Sequence, residues 1–195
     1  GFGQDYGKDW RYFNYSIVQF EMHKDRVVRG NYNKNQVPVL GSSRYCDEWM
    51  NYLDENQSPK KYGVKNNNIN IVYMDHRLEY RFYKEIVVES INKLSRIEGV
   101  NLVVKPTTGR THKSDHRDEL GILNSSNSKN IIFEETVSSS SLIDWADVVI
   151  GTISSIGIEV LLKNKILIHP KYFHGNELLY EKMNSCWVVN SSKEL

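Results

Sequence analysis

The sequence predicts an α/β domain: a Rossmann-like parallel sheet with helices on both faces, running from residue 69 to the C-terminus behind the tail of an earlier domain. Three observations support this. After Ile69, short apolar runs alternate with amphipathic stretches. The runs are almost uniformly apolar, as strands covered on both sides are. Residues 54–68 hold Pro59, Gly63 and the run Asn66, Asn67, Asn68, turn formers that bury little, and they read as a linker.

Ahead of the linker the pattern is weaker. Residues 1–53 read as the end of a first domain cut out of a longer protein. Residues 5–15 are rich in tyrosine and tryptophan but show no helical or strand period. Residues 1–10 lack the pattern of a secretory signal. Residues 16–20 and 37–40 read as short strands, the second stopped by Gly41, Ser42 and Ser43. Residues 48–53 read as a short helix.

Behind the linker each element has its own signal. Residues 69–74 form a β-branched, apolar strand. A helix spans about 80–97, with Phe82, Ile86, Val87, Ile91 and Leu94 on one face. Glu98 and Gly99 end it. Strands follow at 100–104 and 130–133, then a helix at 138–146 with a serine available as N-cap. The remainder alternates: strand 147–150, helix 154–163, strand 165–168, helix 177–183, strand 186–189. No internal repeat is present.

Composition narrows the function classes. The 195 residues carry a formal net charge of +1, with 39% hydrophobic and 25% charged residues. A packed core is feasible, and a dedicated nucleic-acid binder would carry a basic excess. No apolar run approaches the roughly 18 residues of a membrane-spanning helix. The two cysteines, Cys46 and Cys186, lie far apart and fit a reduced, cytoplasmic protein.

In an open parallel sheet, ligands bind past the carboxyl ends of the strands. The loops expected there carry Asp75, His76 and Arg77; Lys105 to Arg110, including Thr107; Gly151 to Ser155, including Thr152; and His169 with Pro170. Cations, imidazoles and hydroxyls at this density match an anion that carries sugar hydroxyls. The most informative stretch is 146–165. A strand ends at Gly151 and a helix opens near Ser154, so N–H groups and the helix dipole attract a phosphate. Ser154 and Ser155 add hydroxyls, and glycine at 151 lets the backbone come close. Glu159, one turn on, is placed to accept from ribose hydroxyls. The plainer alternative is a serine-capped helix with a solvated glutamate.

Other chemistries find no support. The stretch has no dinucleotide fingerprint, no P-loop and no nucleophile elbow. No pair of carboxylates presents itself as acid and base. His112 and His116 are spaced for zinc, but a third ligand and a base are missing, and Lys113 and Arg117 would repel a cation, so no metal is expected. Trp49, Trp145 and Trp187 read as core or interface aromatics.

Residues 146–165 resemble the nucleotide-binding signature of GT-B glycosyltransferases of bacterial surface polysaccharide synthesis. That group makes capsule, teichoic-acid and lipopolysaccharide chains and is related to the CDP-glycerol transferases and the UDP-N-acetylglucosamine 2-epimerases. The matching pattern is Ser154-Ser155, then Gly157-Ile158-Glu159-Val160-Leu161. Val39 to Tyr45 is similar to the Val-x-Gly-Ser-Pro-Arg-Phe stretch that closes the first domain there, with Ser43 in place of proline. Val103-Val104-Lys105-Pro106 is similar to the Lys-Pro-His-Pro loop, with Thr107 in place of histidine, which leaves Arg110 or His112 for that anion contact. Asp75-His76-Arg77 shares two residues with the epimerases' Thr-x-His-Arg loop. The three main motifs occur in the same order, and the resemblance spans roughly the whole chain.

The resemblance implies a GT-B fold of which this chain is the C-terminal half, and transfer of a sugar from a CMP- or UDP-linked donor to a growing glycan or lipid-linked acceptor. It implies donor contacts by His76, Arg77, Lys105, Thr107, Arg110, Gly151, Thr152, Ser154, Ser155, Glu159 and His169. Gly41, Ser42 and Arg44 would face the cleft between domains. Acceptor and catalytic base would lie on the other domain, and no cofactor is implied. The expected place is the cytoplasm, at the inner face of the membrane through peripheral association of the complete protein. Two rivals remain: a UDP-amino-sugar 2-epimerase, and a non-catalytic scaffold, which the threonine at 107 would suit.

Overall fold

The computed structural model describes residues 14–29, 33–56, 67–75, 84–105, 131–134, 136–151, 154–173 and 177–195. The chain divides into two compact units, 1–56 and 57–195.

In the first unit the two expected strands do not form. Residues 16–20 and 37–40 meet in one isolated parallel bridge, Val18 to Val39. Ser16 N–H donates to the Gln36 carbonyl at 2.8 Å, and Val18 N–H to the Pro38 carbonyl at 3.1 Å. The next rung would need an N–H on Pro38 to reach Ser16, and proline has none, so the ladder stops. Helix α1 (Glu21–Arg29) gives a weak sequence signal: Met22, Val27 and Val28 are its only apolar residues, and none of its residues is fully buried. Glu21 in its first turn and Arg26 and Arg29 in its last complement the helix dipole instead. Helix α2 (Asp47–Asn56) outruns its expected span at both ends and buries Leu53. Trp49 stacks on Tyr52 along it, centroids 5.5 Å apart.

The second unit is a Rossmann-like α/β fold. Its elements run β1 (Ile69–Met74), α3 (Lys84–Ser95), β2 (Val100–Lys105), β3 (Ile131–Phe133), α4 (Ser139–Trp145), β4 (Val148–Ile150), α5 (Ile156–Leu162), β5 (Ile166–Pro170), α6 (Leu179–Lys182) and β6 (Trp187–Val189). All six strands are parallel, in the order β3-β2-β1-β4-β5-β6. The strands come where the apolar runs predict them, within a residue or two at each end. Lys105, expected just beyond its strand, is the last residue of β2.

Side chains alternate across the pleat, so each strand feeds two cores. Ile71, Tyr73, Leu102, Val104 and Ile150 meet Val87, Ile91 and Leu94 of α3 on one face. Val72, Met74, Val103, Val149 and Leu167 meet Leu142 and Ile143 of α4, Ile156 and Val160 of α5, and Tyr180 of α6 on the other. Both faces are therefore covered. Trp145 packs against this second core, whereas Trp187, on edge strand β6, is 67% exposed.

Local devices set the element ends. Gly99 turns the chain from α3 into β2 with φ +76°, a conformation costly for other residues. The Ser138 hydroxyl caps α4 by accepting from Ser141 N–H, as expected of a serine there. At the amino ends of β1 and β2, Asn68, Asn101 and Asn70 form a chain of side-chain bonds at 3.0 and 2.8 Å. Among the described residues, no helix is long and apolar enough to cross a membrane.

Candidate functional site

The strand order reverses direction between β1 and β4, and crevices form at such points beyond the carboxyl ends. Asp75, directly after β1, is buried, and its N–H donates to the Lys105 carbonyl at 2.9 Å. Lys105, at the end of β2, is 5% exposed. Gly151 follows β4, its N–H bonded to the Ile168 carbonyl at 3.0 Å. Asp75, Lys105 and Gly151 therefore stand on three adjacent strands, β2, β1 and β4. Glu134, which the sequence reading passed over, follows β3 and is also buried. Its Oε1 accepts from Thr136 N–H, the Thr136 hydroxyl and Val137 N–H, at 2.9, 2.6 and 3.0 Å. This carboxylate closes the turn into α4; the threonine two residues on was its sole sequence signal.

Helix α5 starts at Ile156, two residues later than expected. Ser154 and Ser155 are exposed just before it. The N–H groups expected to be open here are in use. Ile156 N–H donates to the Ser154 hydroxyl at 3.2 Å. Gly157 and Ile158 N–H reach the Ser154 and Ser155 carbonyls at 3.3 and 3.2 Å. Ser155 has helical dihedrals, and its hydroxyl does not cap the helix. These internal bonds lie at the long end of the N–H···O range, and a charged acceptor would make shorter, stronger ones. A serine hydroxyl that accepts through a lone pair still has its proton to donate.

Glu159 is 4% exposed, on the inner side of α5 rather than in solvent. Burial of a carboxylate is costly unless it is hydrogen-bonded or paired, and Glu159 takes part in an interaction there.

His169 is wholly buried, at 0% exposure. Its Nδ1 lies 3.3 Å from the Gly151 carbonyl. Its Nε2 lies 3.3 Å from Glu181 Oε1. Glu181 also accepts from Leu178 N–H at 2.9 Å, and its other oxygen pairs with Lys171 at 2.6 Å. Burial pushes the His169 pKa down from its usual 6.5, and outweighs the Gly151 carbonyl and Glu181, which pull it up. Burial would raise Glu181, but the Lys171 ammonium and the Leu178 N–H hold it below the usual carboxylate range.

Both shifts act on stability in the same direction. A histidine depressed in the folded state supports the fold while neutral, above the unfolded value, and loses that contribution as pH falls below 6.5 through the folded value. A depressed carboxylate loses its contribution at lower pH still. Thermal melts from about pH 8 to about pH 5 should show falling Tm. His23 in the first unit is depressed too, chiefly by burial, so the comparison needed is with His169→Asn. That variant should lose less on acidification than the parent; an identical slope would mean His169 does not titrate in the fold.

Of the expected donor contacts, His76, Arg77, Thr107, Arg110 and Thr152 lie outside the described residues, as do His112 and His116. Lys105, Gly151 and His169 sit at the carboxyl ends of their strands, Ser154 and Ser155 just before α5, and Glu159 in its first turn. Gly41, Ser42 and Arg44 belong to the first unit, where Ser43–Tyr45 form a single 3-10 turn and the Arg44 guanidinium lies 5.9 Å from the Tyr45 ring centroid. Among the described residues, no cluster of three or more His, Cys, Asp or Glu side chains is arranged to hold a metal ion.

The same fold recurs in solved structures. The UDP-GlcNAc 2-epimerase of Methanocaldococcus jannaschii, solved with UDP-GlcNAc and UDP, matches 93% of this chain over 52% of its own, with TM-score 0.63 and 13% identity. A glycosyltransferase from Rickettsia africae matches 96% over 52%, with TM-score 0.60 and 14% identity. The UDP-GlcNAc 2-epimerase of Neisseria meningitidis, bound to UDP-GlcNAc, matches 92% over 49%, with TM-score 0.54 and 11% identity. The chain shares its fold with nucleotide-sugar enzymes. At these identities the likeness is one of fold, and the chain spans about half the length of the structures it matches. No protein-family model and no curated protein matches the sequence. The Rossmann-like parallel sheet expected from the residues is thus the observed one, and it is a fold these structures share.

Proposed function

We propose that residues 69–195 bind a nucleotide-activated sugar, CMP- or UDP-linked, as the donor half of a GT-B glycosyltransferase acting on a bacterial surface glycan. The observation that carries this reading is the convergence of Asp75, Lys105, Gly151 and the Ser154–Ser155 start of α5 at the strand-order reversal. Serine hydroxyls and the start of α5 stabilise negative charge on the leaving phosphate as it develops. Lys105, with Arg77 and Arg110, supplies cationic charge to the donor, and His76, Thr107 and Thr152 also contact it. Glu159 accepts from the ribose hydroxyls. Residues 1–53, with Gly41, Ser42 and Arg44, come from the end of an acceptor-side domain, whose last helix runs on to Asn56 before the linker; acceptor and base belong to that domain of the complete protein. The complete protein works at the cytoplasmic face of the membrane.

Titrating the chain with CMP, UDP and CDP by calorimetry tests the reading. Binding of one of them at about millimolar affinity or better is expected; none at that level would favour a scaffold. Ser155→Ala should weaken the interaction about tenfold or more with an unchanged Tm, the effect of one hydrogen bond to a charged group. Wild-type affinity in that variant would remove the serine from the site.

The second reading, a UDP-amino-sugar 2-epimerase, is favoured by the epimerases among the structures that share the fold. Epimerisation needs no acceptor, so product analysis with UDP-GlcNAc alone separates the two.

A further inference from the structure

His169 and Tyr180 lie outside the group of side chains that would touch a donor, yet they hold both ends of the stretch that would. The Gly151 carbonyl can only accept, so His169 Nδ1 donates to it across 3.3 Å. The Tyr180 ring packs on the other end. A Cβ built on Gly157 would stand 2.8 Å from Tyr180 Cε1, so ring and helix backbone are in direct contact. The two rings meet edge to face, 5.4 Å apart. Behind them, Glu181 stands 3.3 Å from His169 Nε2 and is itself anchored by Lys171 and by the first turn of α6. One buried unit on β5 and α6 thus spans Gly151, where β4 ends, and Gly157, in the first turn of α5.

We propose that His169 is a positioning residue: with Tyr180 it clamps Gly151 and Gly157, and so sets how the start of α5 is presented to the phosphate of a nucleotide ligand. The inference rests on the nucleotide-binding reading for its consequence, but its mechanical part stands apart. Buried on all sides, the imidazole acts through the Gly151 carbonyl. A clamp of this kind fixes donors before the ligand arrives, which improves affinity by reducing the ordering required on binding.

The test compares His169→Asn, whose side-chain amide can donate from near the Nδ1 position, with His169→Leu, which fills similar space without a donor. Hydrogen exchange over residues 150–158 is measured on the full chain without ligand, together with UDP and CMP titration. In His169→Leu, exchange in that segment should rise about tenfold and affinity fall by a similar factor, the scale of one lost hydrogen bond at the upper end of its range. His169→Asn should stay within about threefold of the parent in both, by the same scale. Rescue by asparagine is what a merely space-filling histidine would not show. Equal exchange in all three proteins, or equal loss in both variants, overturns the clamp. A parent that binds neither nucleotide, yet shows the leucine-specific rise in exchange, overturns the nucleotide-binding reading and supports the clamp.

Discussion

Gly157→Val should destabilise the second unit by about 2–3 kcal/mol, the usual cost of forcing extra atoms into a packed core. The position has no room. The first added carbon alone would lie 2.8 Å from Tyr180 Cε1 and 3.2 Å from Leu167 Cδ2. Neither atom can swing aside, because both residues belong to the buried core beneath the sheet. Valine recovers about 0.5 kcal/mol of helix propensity over glycine, too little to offset the overlap. For a chain of this length that loss lowers Tm by about 5–10 °C, measurable by circular dichroism. In a Tyr180→Leu background part of the loss should disappear, since the two sites share one contact. A Gly157→Val protein that melts with the parent would show that α5 does not pack on α6 as described.

Glu159→Gln should lower nucleotide affinity about tenfold or more while leaving the fold intact. The substitution keeps shape but removes the charge and turns one acceptor oxygen into a donor. A hydrogen bond to a charged group contributes about 1.5–3 kcal/mol, which is about ten- to a hundredfold in affinity. The residue is enclosed at 4% exposure, so bulk water would not screen the effect as it does at a surface. Calorimetric titration of the variant with UDP and CMP, beside its melting curve, separates loss of contact from loss of fold. Unchanged affinity for the nucleotide that the parent binds would take Glu159 out of the ribose contact and leave it a buried structural carboxylate.

The fold of the second unit was legible because its strands are covered on both sides. Residues 71–74 and 102–104 are unbroken runs of buried, largely apolar residues, as a strand covered on both faces requires. The first unit was less legible for the opposite reason. Helix α1 is short, has three apolar residues among nine and buries none of them fully, so its signal is faint. The site divides the same way. Ser154, Ser155 and Glu159 could be marked from their places along one short stretch. That stretch also raised an expectation of open N–H groups, which the bonds from Ile156, Gly157 and Ile158 correct. A histidine at a strand end reads as a ligand contact; packing made His169 an internal strut.

By itself, then, the sequence determined for the second unit which segments extend and which coil, where polar residues interrupt them, and that the strands are buried on both sides. These follow from apolar spacing and turn chemistry between near neighbours in the chain. Only the tertiary structure decided the order β3-β2-β1-β4-β5-β6, and with it that Asp75, Lys105 and Gly151 share one end of the sheet. It alone joined His169 to Gly151 and Glu181, residues 18 apart and 12 apart (169 − 151 and 181 − 169). The physical reason is that such contacts arise from pairing and burial between distant segments, whose free energy is spread over many side chains and leaves no local pattern to read.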